Sequence, residues 1–252
     1  MNSLIHDSSL GLTVAAANDY LFDDRELDPK ARSDLIGWIV DRQIRSGSYR
    51  GLFAPLRLDD PRSARTVTGE RLHTRLGIQN IVTQEAARLL WLLGPDRSDV
   101  RDAVQLASTR MSKACYALHH CVIGECAYSS IGYLRFQSTA HPWQSRPWIH
   151  QHISLIRRLR DGKGRWNRLP FYYTLLCLRE LEQDWADVEL QYALPACVRV
   201  AHRTQPDEAF GRRRSELIES TVAVNPKTSD SLLELFDNSN GSNGRSFQTS
   251  NS

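Results

Sequence analysis

The 252-residue chain contains no Gly-x4-Gly-Lys-Ser/Thr loop, no Gly-x-Gly-x2-Gly turn after a strand pattern, no Gly-x-Ser-x-Gly elbow and no His-Glu-x2-His helix. These absences remove the best-marked routes to nucleotide hydrolysis, dinucleotide binding, serine hydrolysis and zinc proteolysis. No stretch approaches the ~18 consecutive apolar residues of a membrane helix. The start, Met1-Asn2-Ser3-Leu4-Ile5-His6-Asp7, lacks the basic and then apolar character of a secretory leader. The 5 cysteines, Cys115, Cys121, Cys126, Cys177 and Cys197, form an odd set without a paired spacing. Together these features lead to the expectation of a soluble protein in a reducing cytoplasm, with free thiols.

Charge is nearly balanced, 32 Lys plus Arg against 29 Asp plus Glu, for a net +3. That argues against nucleic acid as a partner. The arginines cluster locally, at Arg157-Arg158-Leu159-Arg160 and Arg212-Arg213-Arg214. Such clusters serve as solvated faces or as anion contacts.

What is present is helical periodicity. Apolar residues recur at three- and four-residue steps over about 31–46, 71–93, 98–119, 127–137, 148–160, 170–183 and 185–202, the last disturbed by Pro195. No strand pattern of comparable length competes, so the fold class is all-α. Residues 1–30 read as an N-terminal arm, 31–203 as the folded domain and 204–252 as a polar tail. Asn238–Ser252 is an Asn/Ser/Gly tract too poor in apolar surface to offset its ordering entropy.

The chain also repeats itself. Thr68-Gly69-Glu70-(x3)-Thr74-Arg75-Leu76-Gly77 aligns without gaps on Ile123-Gly124-Glu125-(x3)-Ser129-Ser130-Ile131-Gly132, 55 residues later. Tyr172-Tyr173-Thr174-Leu175 occupies a third slot without the Gly-Glu pair. A second element recurs too: Gln43-(x3)-Gly47-Ser48-Tyr49 parallels the turn from Arg158 to Trp166. The chain thus reads as three helical hairpins and a closing helix, units that must stack because none buries its own apolar side.

The Gln-x3-Gly-x-aromatic turn and the Tyr-Tyr-Thr helix start over residues 33–183 resemble the repeat of the terpenoid cyclases and protein prenyltransferases. That resemblance implies an α/α toroid, here a short one, with an apolar, isoprenoid-like or peptide ligand in its concave centre. The protonating Asp-x-Asp-Asp motif of the cyclases is missing, as is the Asp-x-Cys of the zinc-dependent prenyltransferases. Enzymatic activity is therefore left open. A short toroid also suggests completion by a second copy or a partner protein, and a non-catalytic interaction scaffold is the alternative function.

Four sets of residues are candidates for chemistry. Glu70 and Glu125 sit at equivalent repeat positions, either as acid–base groups in a shared pocket or as carboxylates favoured by a helix N-terminus. Tyr49, Trp143, Trp148, Trp166, Tyr172 and Tyr173 could wall the ligand site or wedge the hairpin turns. Cys115, His119, Cys121 and Cys126 form the densest group of soft ligands, suited to zinc or simply to packing. Gly162-Lys163-Gly164-Arg165 could cradle a phosphate.

Overall fold

The computed structural model describes residues 4–23, 25–141, 144–181, 184–201 and 210–223. Among them are ten helices and no strands: α1 (Leu10–Phe22), α2 (Pro29–Val40), α3 (Arg75–Leu93), α4 (Ser98–Met111), α5 (Cys115–Leu118), α6 (Cys126–Ala140), α7 (Arg146–Arg158), α8 (Phe171–Arg179), α9 (Asp184–Ala201) and α10 (Gly211–Ala223). No helix among the described residues is long and apolar enough to cross a membrane.

Helices α3, α6 and α8 are the inner elements. They are buried nearly all round, including polar positions such as Thr83, Gln84, Glu85, Ser129, Ser130 and Thr174. The flanking α2, α4, α7 and α9 bury one face and expose the other. In chain order outer and inner helices alternate, α2 before α3, α4 before α6 and α7 before α8, followed by α9. The packing is not by successive pairs: α4 packs chiefly on α3, and α7 and α8 each pack on α6 and α9.

Three differences from the sequence reading have physical causes. Residues 1–30 are more than an arm: α1 buries Leu10, Val14 and Ala17 against α3. Its N-terminus is held by Asp59, whose carboxylate accepts from the Ser9 hydroxyl (2.6 Å), the Leu10 N–H (2.9 Å) and the Gly11 N–H (3.0 Å). The fold also does not end near Thr204, because α10 packs on α8 and α9 with Leu217 and Ile218 buried. Its three arginines fasten it: Arg212 pairs with Asp23, Arg213 with Asp19, and Arg214 donates to the Thr68 carbonyl at 2.7 Å. The tract Asn238–Ser252 lies outside the described residues. Finally, α9 runs unbroken through Pro195. The missing proline N–H leaves one turn without its hydrogen bond, and the loop at Gly164 packs against that turn.

The turns repeat in a register other than the one their sequence suggests. Isolated antiparallel bridges join Gln43 to Phe53 and Arg160 to Trp166. In the first turn Gly51 (φ +94°) is so close to α4 that a Cβ would lie 2.7 Å from the Leu106 carbonyl oxygen. In the second, Gly164 (φ +87°) approaches α9, where a Cβ would lie 2.9 Å from the Ala196 nitrogen. Both positions combine positive φ with backbone contact, which suits only glycine. The equivalent units are therefore Gly51-x-Phe53 and Gly164-x-Trp166. Gln43 spans its turn by donating to the carbonyls of Gly51 (3.2 Å) and Ala103 (2.7 Å). Tyr49, aligned with Trp166 from sequence, is instead 56% exposed.

Candidate functional site: an arginine-lined cavity beside a buried ion-pair network

Glu70 and Glu125 do lie at one end of the inner helices, and their oxygens are engaged. Glu125 accepts from the His73 N–H, from the Thr74 N–H at 2.9 Å and from the Thr74 hydroxyl. Thr74 Oγ1 in turn accepts the Gly77 N–H at 3.0 Å and caps α3. The approach is so close that a Cβ on Gly77 would meet Glu125 Oε2 at 2.2 Å. Glu70 Oε1 accepts the Tyr173 N–H in the first turn of α8 at 2.8 Å, and its Oε2 accepts from the Thr66 hydroxyl at 2.6 Å. Helix α8 has no side-chain cap of its own because Pro170 precedes it. Each glutamate thus satisfies the N-terminus of a neighbouring inner helix rather than its own, at the positive end of that helix dipole. The two carboxylates also reinforce burial in raising the Tyr128 phenol pKa.

The centre between the inner helices is filled by charge. Arg135 of α6, 1% exposed, makes two parallel bonds to Glu180 at 2.7 and 2.8 Å and donates to Glu85 of α3. The Tyr173 hydroxyl donates to the same Glu85, and Arg88 reaches Glu180 at 3.0 Å. Burial acts to pull the Arg135 pKa down, but Glu180 and Glu85 outweigh it and the pKa is raised. Burial acts to raise the Glu180 pKa, and Arg135 and Arg88 reverse this to hold it below its ordinary value. Burial and then Glu85 push the Tyr173 phenol well up. Close helix approach is secured at Gly132, where a Cβ would lie 2.3 Å from Gln84 Oε1 and 2.8 Å from the Tyr173 hydroxyl.

Beside this network, where α1 and α10 meet α3, α6 and α8, is a cavity of about 980 Å³. Arg88, Arg135, Arg179 and Arg213 form its basic lining, Leu21, Phe22, Leu92, Leu176 and Leu217 its apolar wall, and Asp23, Glu180 and Glu216 its acids. The acids are largely matched. Glu180 is shared by Arg88 and Arg135, and Asp23 is bound by Arg25 and Arg212. The half-buried Arg179 makes no ion pair among the described residues. Arg213 is 4% exposed and its Nε donor has no partner; burial pulls its pKa down to about 10. Burial lowers Arg88 as well.

The aromatic candidates are dispersed. Trp148 stacks on His152 (centroids 5.0 Å apart, 9° between planes) and donates to the Ala117 carbonyl at 2.7 Å. Trp166 is buried against Phe171 and Tyr192 and donates to Glu189 at 3.1 Å. Tyr172 lies under Arg214, Tyr173 belongs to the charged centre, and Trp143 falls outside the described residues. None of the described five lines the large cavity. The turn at Gly162–Arg165 does not offer a free phosphate cradle: Tyr192 accepts the Gly162 N–H at 2.8 Å, and Asp161 accepts those of Lys163 and Arg165 at 2.7 and 2.9 Å. In the basic run before it, Arg157 and Arg160 both clasp the fully buried Glu189.

Of the soft ligands, Cys115, Cys121 and Cys126 converge, their sulfurs all within 4.8 Å of one another. His119 does not join them, because α5 stops at Leu118 and the exposed His119 leaves the helical path at φ −126°. The residues that sequence reasoning missed are Glu85, Arg88, Arg135 and Glu180. Their signal was a charged residue inside an apolar helical pattern, as in Leu134-Arg135-Phe136. Comparison with known proteins finds no matching family model, no similar curated protein and no similar solved structure.

Proposed function

We propose that the chain is a helical-hairpin binding protein of short α/α toroid type, whose ligand is an isoprenoid-like apolar chain with an anionic head. The observation that carries this reading is one cavity in which Arg179, without an ion pair among the described residues, stands beside an apolar wall. Ligand sites commonly have a predominantly apolar lining with a few oriented polar groups, in volumes of roughly 300–1,000 Å³. The head lies on Arg179, and the tail against Leu21, Phe22, Leu92 and Leu217. The unpartnered Glu216 Oε2 is an acceptor for a ligand hydroxyl or a bridging water. The alternation of outer and inner helices, and the repeated Gly-x-aromatic turn seated on an outer helix, support the toroid-like comparison. The site is shifted from the bundle centre, which Arg135, Glu85 and Tyr173 fill, to the space beside it.

Equilibrium titration with farnesyl diphosphate, farnesol and inorganic pyrophosphate tests the reading. Farnesyl diphosphate should bind one-to-one, and each half-ligand at least tenfold more weakly. Arg179→Glu should abolish the preference for the diphosphate over farnesol. Equal affinity for all three, or no binding of any, contradicts the proposal.

A scaffold role has one observation in its favour. Leu76, Leu118 and Ile123 are 64%, 59% and 74% exposed on segments around the start of α3 and α6. A concentration-dependent dimer weakened by Leu76→Asp would support it.

A further inference from the structure

We infer that Cys115, Cys121 and Cys126 together form a zinc site with three thiolate ligands and one open position. The three residues come from separate local structures: Cys115 opens α5, Cys121 lies in the connection and Cys126 opens α6. Gly124 turns the chain back with φ +54°, and the Ser130 hydroxyl fixes the connection by donating to the Cys121 carbonyl at 2.7 Å. Cys115 and Cys126 place their sulfurs 3.6 Å apart, and Cys121 completes a triangle with sides no longer than 4.8 Å. A tetrahedral ion with Zn–S bonds of about 2.3 Å requires sulfurs about 3.8 Å apart, so small side-chain rotations suffice.

A bound divalent ion stabilises the thiolate form, so the three sulfurs coordinate as thiolates. Binding converts three S–H groups to three Zn–S bonds and releases three protons to solvent, with no redox change. Cys115 is exposed, so the ion enters from solvent and keeps a water or an outside donor as its fourth ligand. This site is independent of the cavity proposed above.

The test uses the full chain, reduced with a phosphine and freed of metal, titrated with Co²⁺ and then Zn²⁺. One equivalent of Co²⁺ should give a near-ultraviolet thiolate-to-cobalt charge-transfer band that Zn²⁺ removes. Zinc should slow alkylation of Cys115, Cys121 and Cys126 at least tenfold in the unmutated protein while leaving Cys177 and Cys197 unchanged. Cys126→Ser should weaken metal binding at least tenfold, and His119→Ala should leave it unaltered. No charge-transfer band, an unchanged band in Cys126→Ser, or loss of binding in His119→Ala overturns the three-thiolate assignment.

Discussion

Replacing Arg135 with Met is the sharpest probe of how the inner helices are held together. Arg135 is 1% exposed and the carboxylates it serves, Glu85 and Glu180, are 2% and 26% exposed. Removing the cation strands Glu85 in a low-dielectric interior and leaves Glu180 with Arg88 alone, and breaking such a buried pair from one side costs about 3–5 kcal/mol. The methionine fills most of the volume, so the loss is electrostatic rather than a cavity effect. Set against a typical domain stability of about 5–15 kcal/mol, that is a large fraction, readable as a fall in the urea midpoint with little change in slope. The effect should depend on pH with a definite sign. In the unmutated protein Glu180 is held below its ordinary value near 4.5, so its contribution is present at neutral pH and fades as pH falls through the folded pKa. In Arg135→Met, Glu180 keeps only Arg88 as its cationic partner, so its pKa rises toward and above its ordinary value and protonation relieves the variant. The stability gap between the two proteins should therefore shrink on going from pH 7 to pH 4. A gap below about 1 kcal/mol at pH 7, or one that widens in acid, would refute the buried-network account.

His152 should make the whole fold acid-sensitive. It is fully buried, donates to or accepts from His120 at 2.7 Å, and burial followed by His120 lowers its pKa to about 3. The unfolded chain takes up that proton near pH 6.5, so each pH unit below this costs about 1.4 kcal/mol until pH 3; His152→Phe should flatten the slope of urea midpoint against pH. Glu125→Ala and Glu70→Ala should each lose about 1.5–3 kcal/mol through unmade charge-assisted bonds at the α3 and α8 N-termini, seen by thermal melting. Glutamine variants should retain part of this, as expected of capping groups. Gly132→Ala should cost about 1–3 kcal/mol by overpacking against Gln84 and Tyr173, and a variant as stable as the parent would contradict the helix spacing described.

The all-α class was legible because apolar periodicity is a local property of the chain. The same periodicity hid the ends of several helices. The pattern over 31–46 continues into residues that the Gln43–Phe53 bridge uses for a turn, so α2 closes at Val40. The Gly-Glu repeat was visible, and its role as a cap was half visible. Sequence spacing pointed each carboxylate at its own helix, while the fold delivers it to a neighbour's N-terminus. The aromatic set was the least informative. Trp166 and Tyr173 serve packing and the polar centre, because an indole or phenol buried at a turn is held by one hydrogen bond wherever a carboxylate is near. The cavity could not be read from spacing, since Leu21, Arg88, Arg179 and Arg213 come from four helices. For the cysteines, spacing grouped His119 with them, but His119 shares a face with Cys115 only if α5 continues, and it does not.

The most direct test of the binding proposal is photo-crosslinking with a farnesyl diphosphate analogue that carries a photoreactive group at the end of its chain. Mass-spectrometric mapping should find the adduct on the cavity wall, at Leu21–Phe22, Leu92 or Leu217, with unlabelled farnesyl diphosphate competing it away. Adducts confined to the groove bordered by His119, His150 and Arg158, or distributed without competition, would contradict it.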